Sequence, residues 1–473
     1  MKVIVTTVPE EGETILNCNP KYVLNEFIKY PPLGLLSIVR NINSKHEVTI
    51  YDANENSFDT LINNIISEKP DLLGISTVTE RFWGAVHLAS LVKRHSPKTA
   101  IIVGGPHVDL YPQETMSHSV FDYMLTGPCE LSFPMFVDWY DDGKKENNIS
   151  TIYNLYYRDT GSIVKCSQQK IIKDLDTFPL PDRRKIDIKK YVSLSDRNIM
   201  TTMNSSRGCP FRCEYCNVPH YYMTGSATRI VNEIEEILSL GFNEIHILDD
   251  TFNINHKRVM EICSLIRKRN LKFKWSTRAR LRPFDEEMAS AMKEAGCFRL
   301  NIGVESHNPE ILKYIKKGVS RDDIINGFEV IHKCKFETVA YFIIGFPNQT
   351  FEDAWGTRDF VKTIRPTFIL MNTLLAVPFS NLYFDLVKRG IYKKDYWREY
   401  VLNPVKDYML PSWRGDDMDQ AFMNIRDQLM KEFYLSPAFV LREAYNDITS
   451  LRFKQLGRKV KMGLRMISGA ANQ

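Results

Sequence analysis

No apolar run in this chain approaches the ~20 residues a membrane-spanning helix needs. Charge of one sign is missing too. A net +5 over 473 residues is too small to argue for a nucleic-acid partner. Paired cysteine spacings are largely lacking: Cys18, Cys129, Cys166, Cys263, Cys297 and Cys334 are scattered. That argues against a disulfide framework and for a reducing compartment. No repeat of solenoid period and no low-complexity tract stands out. The opening MKVIVTTVPEEGE reads as a short apolar strand running into acids, not as a signal peptide. The expectation is a cytoplasmic protein, or one peripheral to a membrane. With 44% hydrophobic and 25% charged residues, the chain is long enough for two or three domains with large cores.

What the chain does have is three cysteines packed into one loop. Arg207-Gly208-Cys209-Pro210-Phe211-Arg212-Cys213-Glu214-Tyr215-Cys216 spaces them as C-x3-C-x2-C. Soft thiolates so placed suit one iron–sulfur cluster. Three ligands on a four-iron cubane leave one iron open for a small molecule. Structural zinc is the competing reading, but it takes four ligands, often as two separated pairs. The nearest further ligand is His220, and no convincing fourth partner lies close. Three buried cysteines of no function would not ordinarily sit among Gly, Pro and Arg.

Residues 1–145 alternate apolar strands (3–8, 47–51, 71–76, 100–103, 121–125) with amphipathic helices (32–42, 58–67, 82–95, 131–140). This predicts a doubly wound, Rossmann-like parallel sheet. Ligands of such sheets lie beyond the strands' carboxyl ends, which singles out Ser76, Thr77, Gly104, Gly105 and Gly127. Residues 146–198 read as a hairpin, turning at Asp159-Thr160-Gly161, and a proline-bearing linker. Residues 199–375 show six strand–helix steps, with strands at 200–204, 244–248, 272–275, 299–302, 338–344 and 367–372. This predicts a partial (β/α)6 barrel whose active groups gather at the strands' carboxyl ends. The cysteine loop follows the first of these strands. Residues 376–473 read as a mostly helical region. Its segment 451–466 carries six Lys/Arg and no acid.

The loop GCPFRCEYC, opening a partial barrel, resembles the radical S-adenosylmethionine (SAM) superfamily, with Tyr215 as the motif's aromatic. The resemblance implies Cys209, Cys213 and Cys216 as ligands of a 4Fe-4S cluster. It implies Asp249 and Asp250 at the SAM amino group, Gly303, Glu305 and Ser306 near the ribose, and Gly345 near the adenine. A carboxylate is in any case a sound partner for an ammonium or a diol. Pro31-Pro32-Leu33-Gly34, HEVTIYDA, DLLGIST and IIVGGPH are similar to the cobalamin-binding domain fused to such barrels. Here Gly104 and Gly105 are expected to admit the corrin, with Ser76 and Thr77 offering hydroxyls. The chain departs from that pattern twice. It lacks the D-x-H-x-x-G motif, so cobalamin is expected without histidine ligation. It also has Gly127-Pro128-Cys129-Glu130 in place of G-E-G-E, leaving Cys129 either to approach the cofactor or to pack.

The resemblance implies that the cluster passes one electron to SAM, giving a 5′-deoxyadenosyl radical. In cobalamin-dependent relatives the substrate radical usually takes a methyl group from methylcobalamin. The leading expectation is therefore a cobalamin-dependent methyltransferase acting at an unactivated carbon. Cyclisation or oxidation without methyl transfer is the alternative within the same chemistry, and a non-catalytic cobalamin or cluster sensor the alternative outside it. Arg229 is weighed as a partner of the SAM carboxylate, and Arg278 and Arg280 as active-site lining against a surface role. His107 is weighed as a contact to the cobalamin periphery, and Tyr341 and Tyr383 as substrate contacts. The expected partners are a small-molecule or lipid-like substrate and an external one-electron donor of flavodoxin or ferredoxin type. Nucleic acid is not expected. The basic segment 451–466 is expected to pack on the protein, with an anionic membrane as the second reading.

Overall fold

A computed structural model describes residues 1–9, 29–53, 56–143, 146–166, 172, 174–193 and 198–449, and 457, 459, 460, 463 and 464 beyond them. It divides into two compact units. The first gathers the described residues of 1–15, 30–188 and 392–411, the second those of 16–29, 189–391 and 412–473.

In the first unit the strands and helices run β1 (Lys2–Thr7), α1 (Leu33–Val39), β2 (Glu47–Tyr51), α2 (Phe58–Glu68), β3 (Leu72–Ser76), α3 (Phe82–His95), β4 (Ala100–Gly104), α4 (Pro106–Leu110), α5 (Pro112–Ser117), β5 (Tyr123–Leu125), α6 (Ser132–Asp141), β6 (Leu155–Asp159) and β7 (Ser162–Lys165). They form one sheet of order β2-β1-β3-β4-β5-β6-β7. Strands β1 to β5 pair parallel, as the unbroken apolar runs VIV and AIIV require when helices cover both faces. The hairpin that the sequence sets apart with the linker extends this sheet, β6 pairing antiparallel to β5. A helix far downstream, Tyr396–Leu402, also belongs here. His118 Nε2 donates to the Val401 carbonyl at 2.7 Å, and the Trp83 N–H donates to the Tyr400 hydroxyl at 3.2 Å.

The second unit holds β8 (Met200–Met203), the short ribbon β9 (Ser206–Arg207) with β10 (Met223–Thr224), α7 (Ala227–Ser239), β11 (Glu244–Ile247), α8 (His256–Lys268), β12 (Lys274–Ala279), α9 (Glu286–Glu294), β13 (Cys297–Glu305), α10 (Pro309–Tyr314), α11 (Arg321–Lys333), β14 (Glu337–Ile344), α12 (Phe351–Ile364), β15 (Phe368–Thr373) and α13 (Asn381–Lys388). After α14 (Tyr396–Leu402) in the first unit, α15 (Asp416–Tyr434) and α16 (Pro437–Thr449) complete it. Six parallel strands lie in the order β15-β14-β13-β12-β11-β8, the partial barrel expected. Their alternation sorts two faces. Leu300, Ile302, Val304, Ala340, Phe342, Ile344 and Met371 are buried on one, while Arg278, Asn301 and Tyr341 share the other. Helix starts are capped where the sequence supplies the oxygen. Ser320 and Thr350 form capping boxes with Asp323 and Asp353.

Of the basic segment 451–466 most residues lie outside the described ones. Lys459 is described, and it pairs with Glu443 and Asp447 of α16 at 2.8 and 2.7 Å. At that position the segment packs on the protein.

Candidate active site

The cysteine loop is pinned at both ends by the β9–β10 ribbon, Arg207 pairing with Met223 and Ser206 with Thr224. Gly208 makes the entry turn at φ +78°, and a Cβ there would lie 2.0 Å from the Tyr221 carbonyl oxygen, so no other residue fits. Within the loop the Cys209 N–H donates to the Pro219 carbonyl at 2.9 Å, and the Cys216 N–H to the Cys213 carbonyl at 3.1 Å. The Val218 N–H points at Cys216 Sγ, 3.5 Å away. Burial, then the neighbouring Cys213 and Cys209 thiols and Asp250, push the Cys216 thiol up to about 11, against the Val218 N–H. A metal that binds such a thiol takes the place of its proton. Among the described residues no three or more His, Cys, Asp or Glu converge as they would on a single metal ion. A multi-iron cluster asks for thiolates spaced around its separate corners. The donor set fits it: sulfur alone, three in number, held on a short loop.

Every expected SAM-site residue of the barrel lies at or just after a strand's carboxyl end. They do different things there. Asp249 is fully buried and accepts four hydrogen bonds: from the Ser205 N–H and hydroxyl at 2.6 and 2.5 Å, and from the Ser206 N–H and hydroxyl at 3.0 and 2.6 Å. Its lone pairs are committed to fixing the chain just before the cysteine loop. Asp250 accepts from the Gly208 N–H at 3.0 Å, and burial raises its carboxyl, against that N–H and Arg278. Of the two carboxylates, Asp250 has acceptor capacity to spare.

Glu305 ends β13 at a register shift, in a left-handed conformation of φ +63°. A bulky residue held there marks a site the surroundings over-determine. Its Oε1 accepts from Lys317 Nζ at 2.7 Å, both side chains more than nine-tenths buried. Gly303 makes room for this pair, since a Cβ there would meet Glu305 Oε1 at 2.4 Å and Lys317 Nζ at 2.8 Å. The Tyr215 hydroxyl also bonds Glu305, and burial first, then that carboxylate, hold its phenol well above the usual range. Tyr215 meets the Phe346 ring edge-on at 6.1 Å. Next to Phe346, the Gly345 N–H donates to Gln349 Oε1 at 2.6 Å, and the Gly345 carbonyl accepts from Arg414. Ser306 is buried and accepts from the Asn308 N–H at 3.1 Å, shaping the entry to α10.

Asp250, Glu305, Tyr215 and Gly345-Phe346 are thus tied to the cysteine loop or to one another. Arg229 is not among them, because its guanidinium pairs along its own helix with Glu233 at 3.1 Å. Tyr341 lies on the strand face beside Asn301 instead: its hydroxyl is 3.4 Å from Asn301 Oδ1, and burial raises its phenol against Arg278 and Arg299. Tyr383 is buried in α13. One group was hidden from sequence reading: Lys317, in a turn between helices, carries no local signal. Arg280, weighed as active-site lining against a surface role, is buried, because Phe211 and the Lys317 carbonyl close over it.

In the first unit, the residues singled out also meet at strand ends. The Thr77 N–H donates to the Gly104 carbonyl at 3.0 Å, and the His107 N–H to the Thr77 carbonyl at 3.2 Å. Gly105, at φ +95°, passes so close that a Cβ would meet Ser76 Oγ at 2.7 Å and Thr77 O at 2.8 Å. Contacts within the protein therefore suffice to require this glycine. The Thr77 hydroxyl bonds the Val78 carbonyl at 3.0 Å and is buried. The Gly127 N–H donates to Asp109 Oδ1 at 2.6 Å. Cys129 packs against the sheet's core, its Sγ 3.0 Å from the Gly127 carbonyl oxygen. His107 lies inside, stacked on Phe82 at 4.0 Å with its Nδ1 3.1 Å from Thr79 Oγ1. Burial, then His118, lowers its imidazole to about 3.

Comparison with known proteins agrees with both halves. Residues 203–361 match the radical SAM superfamily model, and residues 27–137 the B12 binding domain. An uncharacterized methyltransferase of Pyrococcus horikoshii, PH0819, is 29% identical over 88% of this chain and 90% of its own length. An anaerobic magnesium-protoporphyrin IX monomethyl ester cyclase of Rubrivivax gelatinosus is 24% identical over 83% and 72%. The structure of the radical SAM methyltransferase TsrM from Kitasatospora setae, with cobalamin and a [4Fe-4S] cluster bound, superposes with a TM-score of 0.66. It is 17% identical and covers 82% of this chain and 78% of that one. This chain is therefore a radical SAM enzyme fused to a cobalamin-binding domain, with a 4Fe-4S cluster, SAM and cobalamin as cofactors.

Proposed function

We propose that this radical SAM enzyme is a cobalamin-dependent methyltransferase that acts at an unactivated carbon of a small molecule. When bound, the cluster and SAM supply radical initiation, and cobalamin supplies the methyl group. The chain's own part is positioning and exclusion of water. Cys209, Cys213 and Cys216 would hold the cluster, and their placement on one short loop pinned at both ends by the β9–β10 ribbon is the observation that carries the reading. Asp250 would take the SAM ammonium group, Glu305 the ribose, and Gly345-Phe346 the adenine. Asp249, with its four bonds already made, would act through the loop it braces. Ser76, Thr77, Gly104, Gly105 and Gly127 would border the corrin at the first unit's strand ends. His107 lies buried behind them, which favours ligation of cobalt by something other than this histidine.

Arg278, Asn301 and Tyr341 line one barrel face and would meet the substrate. A polar or anionic small molecule suits them better than a plain lipid. An external one-electron donor would reduce the cluster. Among the described residues no helix is long and apolar enough to cross a membrane, and a cytoplasmic setting is our reading.

Cyclisation without methyl transfer is the second reading, favoured by the likeness to the cyclase over 83% of the chain. SAM carrying an isotopically labelled methyl group separates the two. Label recovered in a product other than SAM, methionine and methylcobalamin supports methyl transfer. Unlabelled product formed together with 5′-deoxyadenosine contradicts it.

A further inference from the structure

The cysteine loop is gripped from two sides by one connected set of side chains. On one side, Tyr215, between Cys213 and Cys216, bonds Glu305, which pairs with Lys317. On the other, Phe211, between Cys209 and Cys213, lies under the guanidinium of Arg280, whose Cζ is 3.8 Å from the ring centroid. The two sides meet at residue 317, because Arg280 Nη2 donates to the Lys317 carbonyl. The turn around it adds the Glu214 N–H donating to the Ile315 carbonyl at 3.1 Å and the ion pair of Lys316 with Glu214.

Arg280 is itself fixed from below. Its N–H donates to Asn253 Oδ1 at 2.8 Å, and Asn253 Nδ2 donates back to the Arg280 carbonyl at 2.8 Å. It is 9% exposed, and its Nε meets no hydrogen-bond acceptor among the described residues. A buried cation with an unanswered N–H, packed on a ring of the cysteine loop, is costly unless something negative completes its surroundings. A reduced iron–sulfur cluster carries negative charge, and nearby positive charge and hydrogen bonds to its sulfurs set its potential.

We propose that Arg280 is a positioning residue for the cluster. It clamps the loop through Phe211 and Lys317, and its fixed charge raises the cluster's reduction potential. The proposal rests on the radical SAM reading. The two fail differently, since wild-type protein without iron and sulfide would sink the reading itself.

The test is potentiometric titration of the anaerobically reconstituted full-length protein, followed by electron paramagnetic resonance of the reduced cluster. Arg280→Met and Arg280→Gln, at full iron and sulfide content, should each weaken reduction at least tenfold. For one electron that is a fall of about 59 mV. Arg280→Lys, which restores the charge without the flat fork, should recover most of the loss. A wild-type potential in either neutral variant overturns the proposal, as does a lysine variant no higher than the methionine one.

Discussion

Lys317 and Glu305 show how a single pair governs its surroundings. Both are buried, so removing one partner strands the other's charge in a low-dielectric site. Lys317→Met should therefore destabilise the protein by about 3–5 kcal/mol, measured by denaturant unfolding. A change within experimental error would mean that water reaches the pair. His107 makes the opposite kind of commitment, staying neutral where it is buried. Its folded pKa, lowered to about 3, lies below the ordinary value of 6.5. Above pH 6.5 the group is neutral folded or unfolded, and stability is unaffected. As pH falls from there toward 3 only the unfolded chain takes the proton, and stability declines by up to about 1.4 kcal/mol per pH unit. His107→Leu should flatten that part of the stability–pH curve, which thermal unfolding between pH 4.5 and 7 would show.

At the scale of elements, Gly303→Ala tests whether β13 is shaped to make room for the Glu305–Lys317 pair. The added Cβ would meet both charged groups within 3 Å, so SAM affinity should fall at least tenfold while the cluster still assembles. Equal affinity in equilibrium binding would separate this pair from the SAM site. The same strand shows what the sequence made legible and what it did not. The order of strands and helices was readable because buried parallel strands carry unbroken apolar runs and surface helices carry a stripe. Their ends were not. The pattern ends β12 at Trp275 and β13 at Ile302, yet the strands reach Ala279 and Glu305. Ser276, Arg278, Gly303 and Glu305 look like loop residues, since in an incomplete barrel the functional face of a strand is polar. Cys209, Cys213 and Cys216 were legible because ligand spacing within one loop is local. Lys317 was not, because its meaning depends on a partner twelve positions back and on a glycine that leaves it space. Asp249 and Asp250, alike in sequence, are told apart only by the donors the fold aims at each.

For the whole molecule, the downstream helix Tyr396–Leu402 belongs to the first unit, although the chain has by then passed through the barrel. The bond from Trp83 to Tyr400 and that from His118 to Val401 make it part of that unit's fold. A chain cut after residue 375 should accordingly leave the first unit less stable, its Tm lower by several degrees. An unchanged thermal transition of the first unit would contradict that.

The account depends above all on three thiolates leaving one iron open to SAM. The most direct measurement is 5′-deoxyadenosine release from SAM by the anaerobically reconstituted, chemically reduced protein, beside its Cys213→Ala variant. The account predicts release by the wild type and none by the variant. Equal release by both, or wild-type protein that binds zinc in place of iron and sulfide and leaves SAM whole, would contradict it.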